Sequence, residues 1–142
     1  MRTIVLLAGI CALLASNWAT AQTALSASQA YEAASDGSLL LIDLRTAREL
    51  AETGQPEAAV WIPIQANDFA DQLLAAIDGD LNSNVAFICA SGGRSGVISG
   101  QLAKLGFSNV YDVREGMLGN QHGAGWLANG LPTVSFRPDK SL

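Results

Sequence analysis

Short unbroken apolar runs alternate along this chain with stretches whose apolar positions recur every three or four residues. Leu39, Leu40, Leu41 and Ile42 run together and stop at Asp43; Val85, Ala86, Phe87 and Ile88 run together and stop at Cys89. Runs of that length without a polar interruption predict strands buried on both faces, as in a parallel sheet. Two further strands are predicted over residues 60–63, ended by Pro63, and over residues 109–113. Helix-period segments lie between them. One is capped by Ser26 or Ser28 and closed by Asp36-Gly37; a short one covers 46–52 and stops before Gly54-Gln55-Pro56. A third is capped by Asn67 and turns Phe69, Leu73, Leu74 and Ile77 inward; a fourth covers 95–105, with Gly106 at its C′ position. Strand and helix patterns in this alternation predict an α/β domain, a central parallel sheet with helices on both faces. No repeat, low-complexity stretch or linker interrupts the pattern, so one domain is expected.

The first residues depart from it. Met1-Arg2 is a short positive start, residues 3–15 are an apolar run too short for a stable span, and Ala19 and Ala21 are the small residues a signal peptidase reads. The expectation is a signal peptide over 1–21, cleavage before Gln22, and a periplasmic domain over 22–142 with no stable membrane anchor. Leu7-Ala8-Gly9-Ile10-Cys11 bears some likeness to a lipidation box, but the bulky Ile10 before the cysteine spoils it. The chain carries 8 basic and 13 acidic residues for a net charge of −5, and losing Arg2 takes the mature charge to about −6. An acidic chain with no basic run is a poor partner for nucleic acid or an anionic membrane. Any anionic substrate has to be recruited by local groups.

Candidate chemistry sits where the Val85 run meets the helix after it: Ile88-Cys89-Ala90-Ser91-Gly92-Gly93-Arg94-Ser95. A cysteine at the mouth of such a turn meets inward-pointing backbone N–H groups and the positive end of the next helix. Both favour thiolate over thiol, and the thiolate is the nucleophile. Cysteine counting sharpens this. Cys11 leaves with the leader, so the mature chain keeps only Cys89 and forms no internal disulfide, which is unusual for an exported domain of this size. The competing reading, a small buried hydrophobe after a strand, is weakened by the glycine-rich, arginine-containing turn that follows.

These residues resemble the rhodanese-like sulfurtransferases, and the resemblance spans nearly all of the mature chain. Leu41-Ile42-Asp43-Leu44-Arg45 resembles that family's strand ending in Asp-x-Arg, and Glu49-Leu50 the Glu-aromatic pair after it. Residues 54–63 look like a degraded Gly-His-Ile-x-Gly-Ala…Ile-Pro segment, without its histidine and with Glu57 where glycine is common. Residues 89–95 fit the active-site loop, Gly106-Phe107 with 109–111 the next strand, and Glu115-Gly116-Met117 with Gly125-Trp126 and Gly130-Leu131-Pro132 the C-terminal closure. The resemblance implies a single rhodanese-like domain. It also implies a sulfurtransferase of the thiosulfate type, in which Cys89 carries a transferable sulfur as a persulfide held by Ala90, Ser91, Gly92, Gly93, Arg94 and Ser95.

Loop length separates this from the related phosphatases. Cys89 and Arg94 are separated by four residues, whereas the phosphatase loop has five and usually a histidine before the cysteine; here that residue is Ile88. The tighter loop suits one sulfur atom on a thiolate, with backbone donors stabilising the persulfide anion. Ala90 and Ser91 bring no cation after the cysteine, which weakens thiosulfate as the natural donor. Arg94 is open to two roles, contacting the donor anion or capping a carboxylate such as Asp43. Asp43 and Arg45 are expected to pair and brace the loop from below, and Arg48 to lie on a solvated helix face. His122 is the single histidine and has no cysteine or acid pair beside it, so no metal is expected. Gly92-Gly93 lacks the lysine and the spacing of a nucleotide loop, and no cofactor is expected. Trp61 and Trp126 read as core or pocket-rim residues. The expected partners are a small sulfur donor and a thiol or cyanide acceptor, with a periplasmic protein as a further candidate acceptor. The rival reading is a sulfur-carrier or protein-interaction module with little turnover on small molecules.

Overall fold

A computed structural model describes residues 23–137; the predicted leader and its cleavage site lie outside the described residues. In chain order the elements are β1 (Thr23–Leu25), α1 (Ala27–Ser35), β2 (Leu40–Asp43), α2 (Ala47–Thr53), β3 (Gln55–Pro56), β4 (Ala59–Trp61), α3 (Phe69–Ala76), β5 (Asn84–Ile88), α4 (Gly93–Lys104), β6 (Asn109–Val113), α5 (Gly125–Ala128) and β7 (Thr133–Val134). Five strands form one sheet in the order β1-β6-β5-β2-β4, and every pairing in it is parallel. β3 and β7 pair antiparallel as a separate two-stranded ribbon. This is the α/β fold the alternating pattern predicts, with helices on both faces.

The period-2 geometry of the strands deals their apolar residues to two cores. Ile42, Val85, Phe87 and Val110 face one side, where they pack with Leu73 and Ile77 near α3 and with Leu102 of α4. Leu41, Ala86, Ile88 and Val113 face the other, against Ala27 and Ala30 of α1 and Trp126 of α5. Each fully buried Leu, Ile or Phe contributes about 1.5–3 kcal/mol of transfer free energy, so these two layers dominate stability.

Local chemistry explains the element ends. Ser26 and Gln29 form a reciprocal capping box at the start of α1, as Thr46 and Glu49 do at α2. α3 differs from the pattern. Asp68, not Asn67, is its cap residue and makes no side-chain cap bond, while Leu74 is exposed, leaving Phe69, Leu73 and Ile77 to face the core. α4 begins at Gly93, two residues before the predicted Ser95.

The strand order places the site. β2 leads away to β4 on one flank, and β5 leads away to β6 on the other, so the sheet reverses its winding between β2 and β5. In open parallel sheets the crevice at the carboxyl ends of such a strand pair is where ligands bind. Asp43 ends β2 and Ile88 ends β5, paired in register, and Cys89 is the next residue.

Candidate active site

Cys89 leaves the end of β5 and is only 1% exposed. The turn after it folds back because Gly92 takes a left-handed conformation, φ 86°, immediately before α4. That fold aims the Gly92 N–H at the Cys89 sulfur, at 3.2 Å. On the other side the Ser95 hydroxyl lies 3.5 Å from the same sulfur, and Ser95 also donates to the Gly92 carbonyl at 3.3 Å. A sulfur with a backbone donor, a hydroxyl and the start of a 12-residue helix around it has a local field suited to negative charge.

A second wall holds the turn from behind. Met117 N–H donates to the Cys89 carbonyl and Leu118 N–H to the Ala90 carbonyl, both at 2.9 Å. Asn120 Nδ2 donates to the Ser91 and Arg114 carbonyls, also at 2.9 Å. Two glycines permit this close approach. A Cβ on Gly92 would run into the Arg114 carbonyl, and one on Gly116 (φ 62°) would sit 2.6 Å from the Ala90 carbonyl. Glu115 anchors the wall. Its carboxylate is buried and accepts from Ala27 N–H at 2.6 Å and Gly125 N–H at 2.7 Å, tying the starts of α1 and α5 to the segment after β6. A buried carboxylate with both oxygens hydrogen-bonded costs far less than an unpaired one.

Arg94 caps a carboxylate, but that carboxylate is Glu49 and not Asp43. Nη1 donates to Oε2 at 2.9 Å and Nη2 to Oε1 at 2.5 Å, a bidentate pair. Glu49 also accepts the Thr46 backbone N–H and hydroxyl, each at 2.9 Å. Arg94 first, with the Thr46 donors, pulls the Glu49 pKa down to about 2 against the opposing effect of burial. The Arg94 pKa is raised, chiefly by Glu49 and more weakly by Cys89. The capping box of α2 is thus also the far end of the cysteine loop's arginine.

Asp43 and Arg45 meet as a buried ion pair, Nη2 to Oδ2 at 2.7 Å. The other Arg45 donors reach Thr53 Oγ1 at 2.7 Å and the Gly54 carbonyl at 2.9 Å, so this pair ties β2 to the end of α2. It does not bond to the 89–95 turn; the link there is the Leu44 N–H to the Ile88 carbonyl, 2.9 Å. Arg48 lies on the surface beside Glu52. Trp61 is half-buried and donates its indole N–H to the Arg45 carbonyl, while Trp126 is fully buried in the α1 face. His122 is exposed next to Gln121. Among the described residues no group of three or more His, Cys, Asp or Glu is placed to hold a metal ion.

The turn is flanked by two hollows of different character. One, of about 460 Å³, is apolar and lined by Ile64, Val97 and Ile98 beside Gly93, Arg94 and Gln101. The other, of about 510 Å³, is polar and runs from Ser91 and Gly92 to Asp112, Arg114, Asn120 and His122. Asp112 did not stand out in the sequence. It is only 4% exposed, its Oδ1 has no hydrogen-bond partner, and burial raises its pKa against the pull of Ser95, Arg114 and His122.

Comparison with known proteins agrees with this geometry. Residues 26–121 match the rhodanese-like domain family. An uncharacterized protein of Rickettsia prowazekii is 32% identical over 98 residues, covering 65% of this chain and 80% of its own. One from Rickettsia conorii is 30% identical over 104 residues, covering 69% and 85%. Among solved structures, the homodimeric polysulfide-sulfur transferase of Wolinella succinogenes superposes with a TM-score of 0.63 at 25% identity, over 85% of this chain and 83% of that one. A rhodanese-like domain protein of Staphylococcus aureus superposes at 0.56 and 23% identity, over 80% and 100%.

Proposed function

Because the chain belongs to the rhodanese-like domain family, we propose that it transfers a sulfane sulfur through a persulfide on Cys89. The observation that carries this reading is the Cys89 sulfur held between the Gly92 N–H and the Ser95 hydroxyl at the mouth of α4. In the first step the thiolate attacks the outer sulfur of a persulfide or polysulfide: Cys89–S⁻ + R–S–S⁻ → Cys89–S–S⁻ + R–S⁻. In the second, a thiophile removes it: Cys89–S–S⁻ + CN⁻ → Cys89–S⁻ + SCN⁻. Backbone donors at the turn stabilise the anion in both steps without reorganising.

The donor class follows from charge. Arg94 and Arg45 are each committed to a carboxylate, while Arg114 lines the polar hollow with Ser91 and Gly92. On the Arg94 side a dianion such as thiosulfate therefore finds no free guanidinium, whereas a singly charged persulfide R–S–S⁻ needs none. The polysulfide-sulfur transferase among the structural relatives supports the same donor class. We place the reaction in the periplasm, on the strength of the leader-like residues 1–21.

A second reading, a carrier that hands its sulfur to one protein acceptor, is favoured by the apolar hollow beside the turn and the exposed Val97 at its edge. Steady-state assay of the mature protein separates these readings. With polysulfide and cyanide, the sulfurtransferase reading predicts thiocyanate well above background, and Cys89→Ser at background. An aryl phosphate should be hydrolysed no faster than in buffer. Stoichiometric loading with a single slow turnover would favour the carrier, and robust phosphatase activity would overturn both.

A further inference from the structure

The polar hollow beside the turn holds two opposite charges that the fold leaves unmatched. Asp112 stands in β6 with Arg114 two residues on, and alternate residues of an extended chain project to the same side. Both line this hollow of about 510 Å³, together with Ser91, Gly92, Asn120 and His122. Asp112 is only 4% exposed, yet its Oδ1 has no hydrogen-bond partner. Buried polar oxygens are nearly always satisfied in native proteins, so one left over in the wall of a hollow calls for a donor from outside the chain. Arg114 is exposed and forms no ion pair among the described residues, with Asp112 or with any other acid. The amide between them is already spent. Asn120 Nδ2 donates to the Ser91 and Arg114 carbonyls, and Asn120 Oδ1 accepts the His122 backbone N–H at 2.7 Å.

One acid and one guanidinium therefore remain for a ligand. A simple anion placed here meets the Asp112 carboxylate, and a simple cation meets Arg114. A ligand with both charges on one carbon gives each its opposite, through charge-assisted hydrogen bonds. The turn forms part of the same wall, and the Gly92 N–H is 3.2 Å from the Cys89 sulfur.

We propose that this hollow binds the head group of an α-amino acid, ammonium against Asp112 and carboxylate against Arg114, and that the thiol which discharges Cys89 is an amino-acid thiol of the cysteine class. Only the second half rests on the sulfurtransferase reading. The step is Cys89–S–S⁻ + R–SH → Cys89–S⁻ + R–S–SH. The S–S bond on Cys89 breaks and leaves its electron pair on the Cys89 sulfur. A new S–S bond forms to the acceptor, whose thiol proton moves to the transferred sulfur. No oxidant or reductant is consumed. Asp112 and Arg114 hold the acceptor's head and touch no reacting sulfur, so what they set is specificity.

The test compares three thiols on protein prepared from Gln22 onward and loaded with polysulfide. They are L-cysteine, cysteamine, which lacks the carboxylate, and 3-mercaptopropionate, which lacks the amine, at equal thiolate concentrations. Each discharge rate is divided by the rate of the same protein with cyanide, so a general loss of activity cancels. L-Cysteine should discharge Cys89 about tenfold faster than either of the others. Arg114→Gln should erase its advantage over cysteamine and keep the advantage over 3-mercaptopropionate; Asp112→Asn should do the reverse. Equal rates for the three thiols, or a preference that both variants leave intact, overturn the proposal.

A second measurement needs neither a variant nor a thiol. L-Serine, ethanolamine and 3-hydroxypropionate are titrated into the isotope-labelled, unsubstituted protein and followed by NMR. L-Serine should shift the amides of residues 91–93 and 112–122 at about a tenth of the concentration the other two require. No shift from any of them, or equal shifts from all three, overturns the head-group site. If the serine pattern appears but no donor loads Cys89, the sulfurtransferase reading fails and the site stands. If Cys89 loads and cyanide discharges it, but the thiols show no preference, the proposal fails and that reading stands.

Discussion

Glu49 closes the capping box of α2 through Thr46 and at the same time receives both terminal nitrogens of Arg94, which is why its carboxyl ionises so readily, with a pKa of about 2. A folded-state pKa below the ordinary 4.5 adds stability that is complete above about pH 4.5 and is lost as the pH falls from there toward 2. Both side chains keep contact with water, at 29% and 36% exposure, so the pair is worth on the order of 1 kcal/mol and not the full linkage value. Glu49→Gln should therefore lower stability by about that amount at pH 7, measured by urea denaturation, with the gap from the unsubstituted protein narrowing below pH 4.5 and closing only near pH 2. It should also raise the rate with thiosulfate relative to polysulfide, because the Arg94 guanidinium is freed. The sequence supplied Arg94 as a residue with two roles; its partner was out of reach of local reasoning. Glu49 is 45 positions away and meets it only because β2 and β5 are neighbours. Asp112 and Asn120 were missed for the same reason, since burial and backbone contacts across the loop give their types no local signature; Glu115 stood out only as part of the C-terminal resemblance, without its role as an anchor.

At the scale of elements, what was legible followed the strength of the periodic signal. β2 and β5 carry runs of buried apolar residues, β6 buries Val110 and Val113, and all three fall within a residue of the positions read from the pattern. β1, β3 and β7 are two or three residues long and exist through their pairing, β1 with β6 and β3 with β7, so no run announced them. The 89–95 turn was legible as a motif, yet not the wall that shapes it. That wall makes Gly92 the strictest position in the turn, since any Cβ there meets the Arg114 carbonyl and the backbone is left-handed. Gly92→Ala should cost about 2–4 kcal/mol and slow Cys89 loading even where the protein stays folded. Gly93→Ala is the control. Nothing lies within 4 Å of its Cβ, and it starts a helix, so thermal melting should find it neutral or slightly stabilised.

The whole molecule brings two strand ends together, and each contributes in a different currency. β5 delivers the reactive sulfur; β2 delivers Asp43, whose ion pair with Arg45 fixes the route of the chain into α2. Arg45→Met should cost about 3–5 kcal/mol by leaving the Asp43 carboxylate buried and unpaired, and Asp43→Leu added to it should recover much of that loss. Equilibrium unfolding of the two variants checks the pair. Net charge has no part in the site, because an acidic surface around a turn built of backbone donors leaves anion binding to local groups. The central claim, that this turn carries sulfur on Cys89, is read most directly by weighing the intact protein, prepared from Gln22 onward, after brief exposure to polysulfide. The account predicts a gain of one sulfur atom, about 32 Da, lost again on adding cyanide and absent in Cys89→Ser. An unchanged mass with every persulfide and polysulfide donor, or the same gain in Cys89→Ser, would contradict it.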